Sequence, residues 1–163
     1  MLNQLNQQMR NWEMVTSLVK ELVKRRHMRM IAVQTLFQMI EAPDYLTVED
    51  ALNYALENGN DPEAGYEAIK GKYVHTLING VLKHQEDIDQ IIEANLSHWT
   101  IDRIQRIDLV ILRVALFEMK YVDDAEVPNT VAVDEAIELS KGFSDDKSRQ
   151  FVSGVLMKLL NQE

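Results

Sequence analysis

Ile107-Asp108-Leu109-Val110-Ile111-Leu112-Arg113-Val114-Ala115-Leu116-Phe117-Glu118-Met119 is the most apolar stretch of the chain. Around it, in residues 101–121, Ile104, Ile107, Ile111, Val114, Ala115 and Met119 recur at three- and four-residue steps. That is the period of an α-helix; a half-buried strand would alternate at every second residue. No segment of the chain sustains a period of two, and Pro43, Pro62 and Pro128 fall at breaks between apolar segments. The chain is expected to be all-α.

Working outward, Val127-Pro128-Asn129 opens the next helix, which Gly142 would C-cap. Ser144 is expected to N-cap a last helix over residues 145–160. Upstream, residues 65–94 read as one long helix with Tyr73, Leu77, Val81, Ile88, Ile91 and Ile92 inward, ending at a break over residues 95–99. Thr47-Val48-Glu49-Asp50 looks like the capped start of a short helix over 48–57, followed by a turn over 57–62. Met28, Ile31, Ala32, Thr35, Leu36 and Met39 stripe a helix over 25–40. Residues 2–23 place Leu2, Leu5, Met9, Trp12, Thr16, Val19 and Val23 on a heptad seam. This segment is a helix that packs on the body or on another chain, or else a frayed extension. Leu77-Ile78-Asn79-Gly80-Val81-Leu82 is echoed by Phe151-Val152-Ser153-Gly154-Val155-Leu156, and each glycine would let a neighbouring helix come close. The expected architecture is two packed three-helix subdomains, roughly 24–95 and 96–163, with an extra N-terminal helix over 1–23.

The chain has 163 residues, enough for one domain or two small subdomains sharing a core. No apolar run approaches the ~20 residues needed to span a bilayer, and the first residues lack the basic-then-apolar order of a signal peptide, so a soluble cytoplasmic protein is expected. There is no cysteine, which excludes disulfides, thiol catalysis and zinc–cysteine sites within this sequence. The charge is segregated. Residues 1–30 carry a net +4 and the remainder a net −13 within the overall −9. Lys24-Arg25-Arg26-His27-Met28-Arg29 supplies most of the positive end and sits at a helix N-terminus, where cations are unfavourable. A polyanion held at this patch, and a basic protein held by the acidic body, would explain both features.

Catalytic patterns are lacking. There is no glycine-rich phosphate loop, no His-Glu-x-x-His and no nucleophile elbow. His27, His75, His84 and His98 have no metal-ligand spacing, and His84 with Glu86 and Asp87 reads as a solvated helix face. Asp123-Asp124 and Asp145-Asp146 sit where acids favour helix N-termini. Neither an enzyme nor a metal or cofactor site is expected.

Residues 24–37, the stretch 107–119, Val127 to Lys141 and Phe151-Val152-Ser153-Gly154-Val155-Leu156 together resemble, in order, the segments of the bacterial transcription antitermination family NusB. The resemblance covers residues 24–160. It implies an all-α fold of two three-helix subdomains and no catalysis. It also implies binding of boxA-type RNA together with the small-subunit ribosomal protein that doubles as NusE, within an RNA polymerase antitermination complex. Lys24, Arg25, Arg26 and Arg29 are then the expected phosphate-binding residues, since guanidinium groups grip phosphates bidentately and stack on bases. Phe37 and Phe151 match aromatic positions of the family's RNA-facing side, and Lys147 and Arg149 would extend the basic surface. Asp108 matches an acidic position facing NusE. Asp102, on the same helix face if that helix is continuous, and Glu118 complete the expected partner-binding set, with Arg106 paired to Asp102 or Asp108. The sequence departs from the family at Ser153, where Asn is usual, at Phe37 and Phe117, where Tyr is common, and at Met28, which replaces a small residue. Two other readings stay open: a NusB-like module serving a methyltransferase, against which the missing cysteine and methyl-donor domain argue, and a self-associating protein held by the N-terminal seam.

Overall fold

Six α-helices carry the chain in the computed structural model, which describes residues 1–59, 70–97 and 100–162. They are α1 (Leu2–Glu41), α2 (Val48–Asn58), α3 (Lys72–Ala94), α4 (Arg106–Tyr121), α5 (Asn129–Phe143) and α6 (Asp146–Leu160). No strand occurs among the described residues. The expected helical start at residue 65, most of the turn over 57–62, and His98 and Trp99 lie outside the described residues.

The apolar stretch behaves as its composition requires. Every residue of α4 from Asp108 to Met119 is buried, so α4 is covered on all sides. It packs against α1, α3, α5 and α6. Ion pairs fix the directions. Arg29 of α1 meets Glu118 late in α4, and Glu41 at the end of α1 meets Arg106 at its start, so the two helices run antiparallel. Tyr73 reaches Glu118 and Asp89 reaches Arg113, so α3 is also antiparallel to α4. One continuous apolar cluster, from Ile31 and Leu36 through Val110, Leu112 and Leu116 to Val152 and Leu159, joins all the helices. At Gly80 a Cβ atom would fall 2.2 Å from the Phe117 ring, so the close approach expected there is real. The echoed Gly154 has open space around it, and its glycine answers no packing need.

Three boundaries differ from expectation. The helix expected over 101–121 is broken: Ile101–Arg103 form a single 3-10 turn and α4 begins at Arg106. Asp145, not Ser144, caps α6, its side chain accepting the Ser148 backbone N–H at 2.9 Å. The Ser144 hydroxyl instead donates to Asp108 at 2.8 Å. α5 runs one residue past Gly142, so that glycine does not end it. The Thr47 cap holds as expected, accepting the Asp50 N–H.

The largest departure is at the N-terminus. Residues 2–23 and 25–40 form one helix of 40 residues, and residues 1–24 are exposed throughout. At ~1.5 Å rise per residue, roughly 35 Å of α1 stands clear of the bundle.

Candidate nucleic-acid interface

The basic segment lies where α1 joins the bundle, at the end of the molecule formed by the C-terminus of α4 and the N-termini of α3 and α5. Its charges are not alone there. Arg25 donates to Glu126 at 3.2 Å while its guanidinium lies 3.9 Å above the centroid of the Tyr73 ring, a cation–π stack. Arg26 donates through Nε and Nη2 to the two carboxylate oxygens of Glu135, both at 2.9 Å. Lys24 lies 3.4 Å from Glu21 on the same helix. Arg26 keeps almost half of its side chain in solvent. The bidentate bond to Glu135, helped by the charges of Glu135 and Glu138, outweighs burial and holds the Arg26 pKa above its ordinary value.

Arg29 faces inward and is 3% exposed. It forms a two-bonded pair with Glu118, both bonds 2.8 Å, and Glu118 also accepts the Tyr73 hydroxyl at 2.5 Å. Burial works against the Arg29 charge, but the hydrogen bond and charge of Glu118 prevail and its pKa is raised. Burial and the Glu118 charge push the Tyr73 hydroxyl well above the usual tyrosine range, so it stays a donor. Neither Arg29 nor Glu118 is placed to meet a ligand. The expectation that Arg29 faces RNA and Glu118 a partner is corrected accordingly: both form one buried cluster that ties α1, α3 and α4 together.

The other expected residues sit at the far end. The Ser144–Asp108 bond pins the end of α5 to the start of α4, and α6 begins beside it. Asp108 and Glu118 are separated by ten residues of α4, roughly 15 Å of helix. Lys147 is exposed on the first turn of α6, Arg149 pairs with Asp146, and Phe151 is half-buried beside a hollow lined by Asn95, Leu96, Ser97 and Lys158. Phe37 is half-buried in a separate hollow of about 520 Å³ with Tyr54, Ile107 and Phe143. The structure therefore gathers Lys24, Arg25 and Arg26 at one end, and Phe37, Lys147, Arg149 and Phe151 toward the other.

Of the acids expected at the partner face, only Asp102 is exposed, on the 3-10 turn and off the axis of α4. Asp108 is buried under Ser144, and Arg106 pairs with Glu41 rather than with either aspartate. His84 stacks on Tyr121 with ring centroids 3.8 Å apart, and no metal-binding cluster of side chains occurs among the described residues.

Sequence reading missed three acids and one aromatic: Glu126 and Glu135, which hold the outer arginines, Asp89, which pairs with the buried Arg113, and Tyr73, which bridges Arg25 and Glu118. For Arg113 and Glu118 a signal existed. Their neighbours in the sequence are apolar on every face of the helix, so a charge there must be buried and paired.

The structure thus defines an all-α bundle with paired arginines at its surface over a buried ion-pair cluster. The model of the NusB family matches residues 26–161, and the chain belongs to the NusB family. It is 46% identical over 134 residues to the transcription antitermination protein NusB of Limosilactobacillus fermentum, covering 82% of this chain and 90% of that protein. The protein of the same name from Listeria monocytogenes is 38% identical over 141 residues, covering 86% of this chain and 99% of the relative. Among solved structures, NusB of T. maritima superposes with a TM-score of 0.70 at 29% identity, covering 85% of this chain and 92% of that one. A structure of antitermination factors NusB and NusE in complex with dsRNA superposes with a TM-score of 0.69 at 25% identity, covering 86% of this chain and 98% of that one.

Proposed function

We propose that this chain is a transcription antitermination factor that binds boxA-type single-stranded RNA together with the small-subunit ribosomal protein serving as NusE, and so suppresses premature termination on ribosomal RNA operons. It acts in the cytoplasm as a non-catalytic component of the RNA polymerase antitermination complex. The observation that carries this reading is the pair of guanidinium groups at the root of α1. Arg25 and Arg26 are accessible, and each is held in a fixed orientation by a glutamate from the α5 side of the molecule. The bond to Glu135 occupies one edge of the Arg26 guanidinium and leaves donors free for a phosphate. Lys24 stands beside them, and Lys147, Phe37 and Phe151 would meet the strand farther along, by charge and by base stacking. Asp102 is the accessible acid for the basic partner, while Asp108 acts from beneath by holding Ser144.

Pairing sets the affinity. Lys24, Arg25, Arg26 and Arg29 are matched by Glu21, Glu126, Glu135 and Glu118, so the patch has little net charge of its own. RNA binding by this chain alone is weak, and a basic partner that adds positive surface strengthens it. A salt titration of binding to boxA-type and scrambled RNA, with and without the NusE partner, tests this. Each phosphate neutralised contributes a slope of roughly −0.7 in log K against log salt. Partner-enhanced preference for boxA, lost in Arg25→Ala/Arg26→Ala, is expected; equal affinity for both RNAs in every mixture would overturn the reading.

A further inference from the structure

We infer that the free N-terminal half of α1 is a self-pairing surface, on which a second copy of this chain docks in antiparallel orientation through residues 12–23. The inference is independent of the RNA reading. Most of the large exposed apolar side chains of the molecule lie on this one segment: Leu2, Leu5, Met9, Trp12, Val15, Leu18, Val19, Leu22 and Val23 among them. Trp12 is 72% exposed and Leu22 62%. Apolar side chains of this size at such exposure need cover.

The segment does not find that cover on its own body. Its side-chain hydrogen bonds are local: Gln7 to Asn11, Arg10 to Gln7, Thr16 to the Trp12 carbonyl, Lys24 to Glu21. At about 100° per residue, Trp12, Thr16, Val19 and Val23 point away from the side of α1 on which Ala32 and Leu36 enter the core. Unbroken helix through Lys24 and Arg29 keeps the two halves from folding onto each other. An anionic membrane is a poor occupant, because the polar side of residues 12–24 carries Glu13 and Glu21 with Lys20 and Lys24 and has no cationic excess.

A second copy fits on charge and on side-chain size. Over residues 12–23 the seam side chains Trp12, Val19 and Val23, with the flanking Val15 and Leu22, are 43–72% exposed and form one continuous apolar strip for a partner. In an antiparallel pair, Trp12 of one copy faces Val23 of the other, and Thr16 faces Val19, a large residue against a small one at each outer layer. The same register sets Glu13 of each copy beside Lys20 of the other. A parallel pair would instead set two bodies of net −13 side by side. The antiparallel pair holds the bodies at opposite ends of the rod, well beyond the ~8–10 Å over which exposed charges interact in ordinary salt.

Light scattering and sedimentation of the full chain test this. The expected mass is twice 18.8 kDa. Trp12→Glu/Val19→Glu should return it to a single chain over the same concentration range, with the unfolding transition of the bundle unchanged, since neither side chain is part of the core. A single-chain mass for the parent, or a dimer that survives the double substitution, would overturn the proposal. The chain has no cysteine, so orientation can be read by disulfide trapping. A mixture of Thr16→Cys and Val19→Cys chains should cross-link to each other in preference to themselves; preferential self-cross-linking of each would overturn the antiparallel arrangement.

Discussion

Arg26 and Arg29 lie three residues apart on one helix, and each is gripped by two oxygens of a glutamate. The first pair opens to solvent on the arginine side, with Arg26 45% and Glu135 16% exposed; the second is buried at 3% and 1% exposure of its partners. Identical bonding has different consequences in the two settings. A surface pair contributes about 0–1 kcal/mol, because water and salt serve its charges nearly as well. It can release its carboxylate for a phosphate at little cost. A buried pair cannot be opened without stranding a charge away from water. Arg26 is therefore available to a ligand while Arg29 holds the helices that position it.

Breaking the buried pair should have the largest effect. Glu118→Gln leaves the buried Arg29 charge with only Glu135, 3.8 Å away, and is expected to lower stability by about 3–5 kcal/mol in urea unfolding. Arg29→Met/Glu118→Leu, which removes both charges, should recover much of that loss. A Glu118→Gln protein within ~1 kcal/mol of the parent would show the pair to be as dispensable as a surface one.

Tyr73 sharpens the comparison, since it touches both settings. Tyr73→Phe removes the hydrogen bond to the Glu118 carboxylate but keeps the ring beneath Arg25, and should cost about 1.5–3 kcal/mol. The pH dependence has a definite sign. The folded hydroxyl keeps its proton above the ~10 at which a free tyrosine loses it, so above that pH the folded state binds more protons and stability falls as pH rises. The gap between parent and Tyr73→Phe should be full below pH ~10 and narrow above it in denaturant titrations, and a constant gap would contradict the assignment.

At the surface the balance reverses. Arg25→Ala/Arg26→Ala should leave stability within about 1 kcal/mol of the parent. RNA affinity should fall about tenfold or more, and the salt slope by roughly 1.4, for two phosphates. An unchanged slope would remove both arginines from the interface.

Much of this division was legible in the sequence, and the reasons are particular. Helical period gave the helices, and the run around Ile111 gave the central one, because burial on all faces leaves an unmistakable composition. The inward turn of Arg29 was hidden by its neighbours. Lys24, Arg25 and Arg26 are basic as well, and charge counting cannot distinguish an arginine that faces solvent from one aimed at a glutamate 89 residues away. The pairing of Arg25 and Arg26 was hidden for the same reason, since Glu126 and Glu135 come close only once α1 and α5 have both packed on α4. Asp108 and Asp102 share one acidic face only on a continuous helix. The break at Ile104 and Gln105 separates them into a buried residue and an exposed one. Local signals thus recovered the elements and the basic stretch, while what neutralises that stretch depended on tertiary packing.

The smallest expected effect is also the most direct test of why the outer arginines are paired. Glu126 is half exposed and accepts one bond from Arg25 at 3.2 Å, longer than either bond at Glu135. If RNA must displace this carboxylate, Glu126→Gln removes a competitor and a local repulsion for the incoming phosphate. Stability should change by less than about 1 kcal/mol, because the pair is exposed. RNA affinity should rise about two- to fivefold at low salt, and the gain should fade as salt screens the repulsion that was removed. Weaker binding would give the opposite lesson: that Glu126 aligns Arg25 over Tyr73 and is worth more as a positioning group than it costs as a charge. The two outcomes differ in sign, so a single pair of titrations, parent against Glu126→Gln, decides between competition and alignment.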